Sequence, residues 1–327
     1  MKHPAQAKYF IKITLPAILI SFFFVALAQI VFAQEAPQRS ITISPPTIEH
    51  TLIPGERAEG VLKVTNGGNT DLTFQANIHD FIVEDKIGTP NLLADETLTE
   101  KYSAATWLAV TPNSFTVPAG TTKELSYFLQ VPADAAPGGR YAAVVYEPVN
   151  ILDVEGTGAG VNTQSLSLFY ITIDGPITED AEVVNFSIPG FSEYPPVTVS
   201  TEIKNNGPLH IKPSGSIIIR NMFGKEIARH EFTGGNIFPE ATLLYENEFF
   251  SDSKIRVGRY TAELSTAFGR DLNIPLEATA SFIIFPWKIA AGIALLIAIL
   301  VVTVVLIRNK KTPKNPRPEA TPQPTIK

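Results

Sequence analysis

A single run near the C-terminus limits what everything before it can be. Between Lys288 and Arg308 lie nineteen residues without a charge, 289–307. At about 1.5 Å per helical residue they span a hydrocarbon core of roughly 30 Å with little tilt. Trp287 stands at one end, where an indole favours the lipid–water boundary, beside Lys288. Arg308, Lys310 and Lys311 crowd the other end, with Lys314 and Arg317 close behind, and such basic flanks stay cytoplasmic. A buried core helix is usually amphipathic or shorter, whereas the first polar residue here is Thr303. Residues 287–307 are therefore expected to cross a membrane once, with membrane lipid as their partner. The N-terminal side lies outside, and 308–327 form a basic, proline-rich cytoplasmic tail.

The start of the chain agrees with export. Lys2, Lys8 and Lys12 precede an apolar run that ends in Val31-Phe32-Ala33, the small-residue ending a signal peptidase accepts. Residues 1–33 read as a signal peptide and 34–39 as a short leader; an uncleaved second anchor is the alternative. Residues 34–281 carry 16 Lys+Arg against 31 Asp+Glu, net −15, while 308–327 carry net +5. An acidic exterior lacks the clustered cations that phosphate backbones need, which argues against nucleic acid as a partner. The chain has no cysteine, so the exported part must hold together without disulfides, a habit that fits a bacterial envelope better than a eukaryotic surface.

Between these ends the pattern has period two. Leu72-Thr73-Phe74-Gln75-Ala76-Asn77-Ile78-His79 alternates apolar and polar without a miss, and Val197-Thr198-Val199-Ser200-Thr201-Glu202-Ile203-Lys204 does nearly the same. Such alternation marks strands with one face on a core and one in water. Turn signals punctuate them, among them Pro54-Gly55, Asn66-Gly67-Gly68-Asn69, Pro137-Gly138-Gly139 and Asn205-Asn206-Gly207-Pro208. Short strands at this spacing predict antiparallel sandwiches, with one short helix expected near 94–105.

An internal repeat sets the expected domain count. Val64-Thr65-Asn66-Gly67-Gly68-Asn69 is echoed by Ile203-Lys204-Asn205-Asn206-Gly207-Pro208 at an offset of 139. Gly139-Arg140-Tyr141 is echoed by Gly258-Arg259-Tyr260 at 119, and Pro118 by Pro239 at 121. One insertion of about twenty residues, placed at 84–106, reconciles the three. The expected fold is all-β: two immunoglobulin-like antiparallel sandwiches in tandem, 40–174 (with the 84–106 insert) and 177–284. Gly138-Gly139 would turn the chain with positive φ, and Tyr141 and Tyr260 would cap their sandwiches, ring in the core and hydroxyl on backbone.

Three stretches carry a family resemblance: Trp107-Leu108-Ala109-Val110-Thr111-Pro112, Phe115-Thr116-Val117-Pro118-Ala119-Gly120-Thr121-Thr122-Lys123, and Val131-Pro132-Ala133-Asp134-Ala135-Ala136-Pro137-Gly138-Gly139-Arg140-Tyr141. Together they resemble the first domain of the WxL-interacting surface proteins, the DUF916 domain, over roughly 40–172. That resemblance implies an immunoglobulin-like fold and contact with peptidoglycan. The second domain has no such match; its Asn205-Asn206-Gly207-Pro208-Leu209-His210-Ile211 resembles a motif common in bacterial immunoglobulin-like modules.

Catalytic signatures are scarce. Without cysteine there is no thiol nucleophile or thiolate metal site. His50, His79, His210 and His230 lack zinc spacing, and no Gly-x-Ser-x-Gly elbow or phosphate-cradling glycine loop occurs. Asp80, Glu84 and Asp85 lack the spacing of a calcium loop and read as a solvated acidic face. No catalytic residue, metal or cofactor is expected. The function expected is that of a cell-membrane binding or scaffold protein for cell-wall polymer or another surface protein. Asp85, Lys86, Asp95, Glu96 and Tyr102 of the insert are the candidate contacts. The alternatives are an envelope assembly factor that holds an exported subunit by strand addition, and a wall hydrolase built on two convergent carboxylates.

Overall fold

The computed structural model describes residues 40–93, 101–149, 165–252 and 255–310. The signal peptide, Asp95, Glu96 and the tail from Lys311 on lie outside them. The described chain is all-β up to one C-terminal apolar helix, α1 (Trp287–Lys310). Two compact units are present. Of the described residues, the first comprises those up to Asp80, within Ser103–Ala135 and within Tyr141–Ile171; the second comprises those within Phe81–Tyr102, Ala136–Arg140 and from Thr172 on.

In the first unit, β1 (Ile41–Ser44), β3 (Arg57–Asn66), β8 (Thr122–Gln130) and β6 (Leu108–Thr111) form a sheet in the order β1-β3-β8-β6. Opposite it, β2 (Thr47–Leu52), β10 (Ser165–Ile173), β9 (Gly138–Val149) and β4 (Leu72–Ile82) follow one another, with β7 (Ser114–Val117) also paired to β4; β5 (Asn91–Leu93), next in that order, falls in the second unit's Phe81–Tyr102 segment. The alternating apolar residues dictate which faces meet. Leu62, Val64, Leu125, Tyr127 and Leu129 turn inward and are buried. Tyr127 of the first sheet meets Phe169 of the second edge-to-face at 5.0 Å. Strand β9 is buried along both faces from Gly138 to Tyr146, which explains its unbroken apolar run Tyr141-Ala142-Ala143-Val144-Val145-Tyr146.

The second unit repeats this order. β11 (Ala181–Ser187), β13 (Val197–Asn205) and β16 (Thr242–Phe249) make one sheet, β11-β13-β16. β12 (Phe191–Ser192), β18 (Ile274–Ile284), β17 (Gly258–Phe268), β14 (Ser214–Asn221) and β15 (Glu226–Thr233) make the other, β12-β18-β17-β14-β15. Phe232 on β15 meets Tyr245 on β16 at 4.7 Å, joining the two layers.

The asparagine echo has a physical cause. Asn66 is fully buried; its Nδ2 donates to Thr70 O (2.7 Å) and Val117 O (3.0 Å), and its Oδ1 accepts from the Gly68 amide (3.0 Å). Asn205, equally buried, donates to Leu209 O and Ile237 O (both 2.8 Å) and accepts from the Gly207 amide (2.9 Å). Each side chain satisfies a loop that strand pairing cannot reach. The same bonds correct one expected equivalence. The Asn66 amide donates to Thr121 O and the Asn205 amide to Ala241 O, while the turns close by Thr121 N to Pro118 O and Ala241 N to Phe238 O. Pro118 therefore corresponds to Phe238, not Pro239. Gly120 (φ 69°) then matches Glu240 (φ 66°), a left-handed position that glycine occupies without strain. The helix expected near 94–105 is, in its described part, a turn followed by a 3-10 turn at Ala105–Trp107.

Candidate functional site

The candidate contacts of the insert are engaged inside the second unit. Asp85 Oδ1 accepts the amides of Ile87 (3.2 Å), Gly88 (2.8 Å) and Thr89 (2.9 Å), closing its own turn. Bonds from Thr89 first, then from Gly88 and Ile87, hold its carboxyl below the usual range. Lys86 Nζ lies 2.7 Å from Glu202 on β13, and its carbonyl accepts the Leu244 amide of β16. Tyr102 donates to Glu240 Oε1 at 3.1 Å, beside Lys101 at 3.4 Å. Phe81 packs edge-on against Phe238 at 5.4 Å. The segment is thus stapled to β13, β16 and the Glu240 turn rather than held out as a free arm. Asp95 and Glu96 fall outside the described residues.

The two Gly-Arg-Tyr echoes share their tyrosines but not their arginines. Tyr141 is buried against Tyr170, and Tyr260 against Phe250 and Phe282, with Tyr260 Oη donating to Val257 O at 3.1 Å. Positive φ falls at Gly138 and Gly258, not Gly139. Arg140 is buried and donates to the carbonyls of Gly139 and Ala136, whereas Arg259 is exposed.

Sequence reasoning missed the outer face of the first unit's four-stranded sheet. On β8, Leu125, Tyr127 and Leu129 point inward, so Glu124, Ser126, Phe128 and Gln130 point out. Phe128 stands opposite Glu59 of β3 and Ala109 of β6, and is 47% exposed. Val61, 44% exposed, is opposite Ser126, which in turn faces Thr111. Polar pairs bound this apolar centre: Lys63 with Glu124 at 2.9 Å, and Arg57 hydrogen-bonded to Gln130. The result is a flat platform with one aromatic ring amid hydroxyls, an amide and a carboxylate. A ring presented this way stacks on a sugar or an apolar side chain while its neighbours hydrogen-bond the rim. The signal was present in the sequence: Phe128 is the apolar residue out of phase in an otherwise alternating strand.

Four of the described edge strands are guarded, while β2 (six residues) and β16 (eight residues) also lie at sheet edges. β1 and β6 have four residues each. β11 carries a bulge between Val183 and Asn185, and β15 displays Glu226, Arg229, His230 and Glu231. These are the devices that discourage strand addition.

The anchor residues lie at the chain's far end. Only Phe285 and Pro286 separate β18 from α1, whose apolar side chains from Ile289 to Ile307 are exposed, except for the half-buried Ala290. Thr303 Oγ1 donates to Ile299 O at 2.8 Å, so the run's one hydroxyl is satisfied within the helix. Trp287 is half exposed, Lys288 pairs with Glu193 at 2.8 Å, Arg308 is exposed, and Lys310 closes the helix. Among the described residues, no three His, Asp or Glu side chains converge as a metal site.

No family model matches the chain, and no curated protein matches it. It is similar to solved structures of fimbrial chaperones. The class 5 fimbriae chaperone CfaA is 14% identical, with a TM-score of 0.38 over 75% of this chain and 99% of that one. The YadV chaperone is 12% identical, with a TM-score of 0.36 over 74% and 99%. The Pseudomonas aeruginosa CupB2 chaperone is 14% identical, with a TM-score of 0.32 over 74% and 100%. With TM-scores below 0.5, this likeness assigns no activity or partner to the chain.

Proposed function

We propose that this chain is a non-catalytic surface protein of a bacterial envelope. Two immunoglobulin-like sandwiches stand outside the cell membrane on one transmembrane helix and present a contact face to cell-wall polymer or a partner surface protein. The observation that carries this reading is α1: a helix with its large apolar side chains all exposed, joined to a β-sheet by two residues. Such a surface needs an apolar cover, and its length and lack of charge fit a bilayer. The resemblance of 40–172 to the DUF916 domain supports peptidoglycan as the polymer, and the Phe128 platform is the face assigned to it. The assembly-factor alternative loses support at β1, β6, β11 and β15, whose short, bulged or charged edges are poor templates for an added strand.

Co-sedimentation of the detergent-solubilised full chain with purified wall sacculi tests the binding. Retention is expected, with Phe128→Ala reducing affinity about tenfold, the loss of roughly 1.4 kcal/mol that one aromatic contact supplies. Equal retention of both proteins, or none of either, contradicts the platform.

A further inference from the structure

Most of the second unit's exposed large apolar residues lie at one end, Ile87, Val184 and Leu272 being elsewhere. Strand β18 runs toward α1, and β14 is parallel to it, because both are antiparallel to the intervening β17. Tyr260 is in register with both Asn221 of β14 and Phe282 of β18. The β14–β15 hairpin tip, Met222-Phe223-Gly224, therefore extends in the direction in which the chain leaves the sandwich, about level with Ile283–Ile284. Hairpin tips are ordinarily polar. Here Met222 is 67% and Phe223 83% exposed. On the outer face beside them, Phe191 of β12 pairs with Ile283 of β18, and Ile283 with Arg259; Val257 and Phe285 continue the exposed patch.

Distance along the chain fixes where this end must lie. Two residues of α1 precede Ile289, about 3 Å of rise, and Phe285-Pro286 add at most about 7 Å. Strand β18 thus ends within about 10 Å of the hydrocarbon boundary, and the headgroup layer is itself roughly 5–8 Å thick. The hydrogen bonds of Phe285 N to Ser192 O and Ile283 N to Gly190 O, with the Lys288–Glu193 pair, fasten β12 to the same junction.

We infer that the α1-proximal end of the second sandwich is a lipid-binding foot, with Met222 and Phe223 inserted into the headgroup layer of the outer leaflet. The foot rests on the reading of α1 as a membrane span and continues that apolar surface sideways by two strand spacings, about 10 Å. Aromatic and aliphatic residues held at that depth bind the interface, while Arg259 and Lys225 face the phosphates. Two contacts, helix and hairpin, fix the sandwich's tilt on the bilayer where a lone helix would leave it free to swing.

The chain's lack of cysteine makes the test direct. Single-cysteine full-length proteins, Phe223→Cys and Leu272→Cys, the latter in the β17–β18 turn at the opposite end, are labelled with an NBD fluorophore. Both are reconstituted into phosphatidylcholine–phosphatidylglycerol vesicles and floated. The expected result is a blue-shifted emission at 223, quenched by shallow nitroxide lipids, and an aqueous emission at 272, quenched by iodide. Floating protein with water-exposed label at both positions overturns the foot and leaves the anchor standing. Floating protein with lipid-exposed label at both overturns the foot as a defined surface. Failure to float overturns the anchor and the foot with it.

Discussion

Asn66 and Asn205 each replace three missing backbone partners with one side chain, so their amides should matter more than most core methyls. Asn205→Ala leaves two buried carbonyls and an amide unmatched, and about 2–4 kcal/mol of stability should be lost from its sandwich; Asn66→Ala, where Val117 O is buried and Thr70 O only partly so, should cost less. Denaturant unfolding of each variant reads this directly. His210 supplies a pH signature. Burial against Phe238 pushes its pKa from 6.5 down to about 4. As pH falls below 6.5 the unfolded chain takes up the proton first, so stability present above 6.5 declines and is lost by about pH 4. The decline should be about 2 kcal/mol, allowing for partial solvent contact, and His210→Gln should flatten it in thermal melts between those pH values. The sequence showed both asparagines as an echo but not their work, since a buried amide and a solvated one look alike in one dimension. Phe128 was legible in principle, as an apolar residue on the wrong beat.

At the scale of elements, the strands with strict alternation are the ones the sequence locates well. The stretches 72–79 and 197–204 lie in β4 and β13. Strands of two to four residues, such as β5 and β12, carry no local period and exist because a neighbour pairs with them. The attachment of 81–102 to β13, β16 and the Glu240 turn was equally invisible, because it joins residues more than a hundred positions apart. One cross-strand pair illustrates the tolerance of the first sandwich. Gly60 of β3 lies opposite Tyr127 of β8, and a Cβ there would stand 2.5 Å from the tyrosine oxygen. Gly60→Ala should displace that ring from Phe169 and break its 3.0 Å bond to His50. A destabilisation of about 1–3 kcal/mol is expected, and Gly60→Ala combined with Tyr127→Leu should recover part of it.

For the molecule as a whole, charge and apolarity are segregated along the chain: net −15 over 34–281, an uncharged run over 289–307, then net +5 over 308–327. On the proposed reading of α1 as a membrane span, the basic residues that follow it put 308–327 inside and the sandwiches outside. The proposed wall-contact platform and lipid foot both depend on that orientation, since the first needs the exterior and the second needs the helix beside it. Sidedness is therefore the property to measure. Single cysteines at Ser126 and at Thr312, on either side of α1, are challenged with membrane-impermeant maleimide in intact spheroplasts and again after permeabilisation. The account predicts that Ser126→Cys is labelled in both and Thr312→Cys only after permeabilisation; protection of Ser126→Cys in intact spheroplasts, or release of the chain from membranes by carbonate, contradicts it.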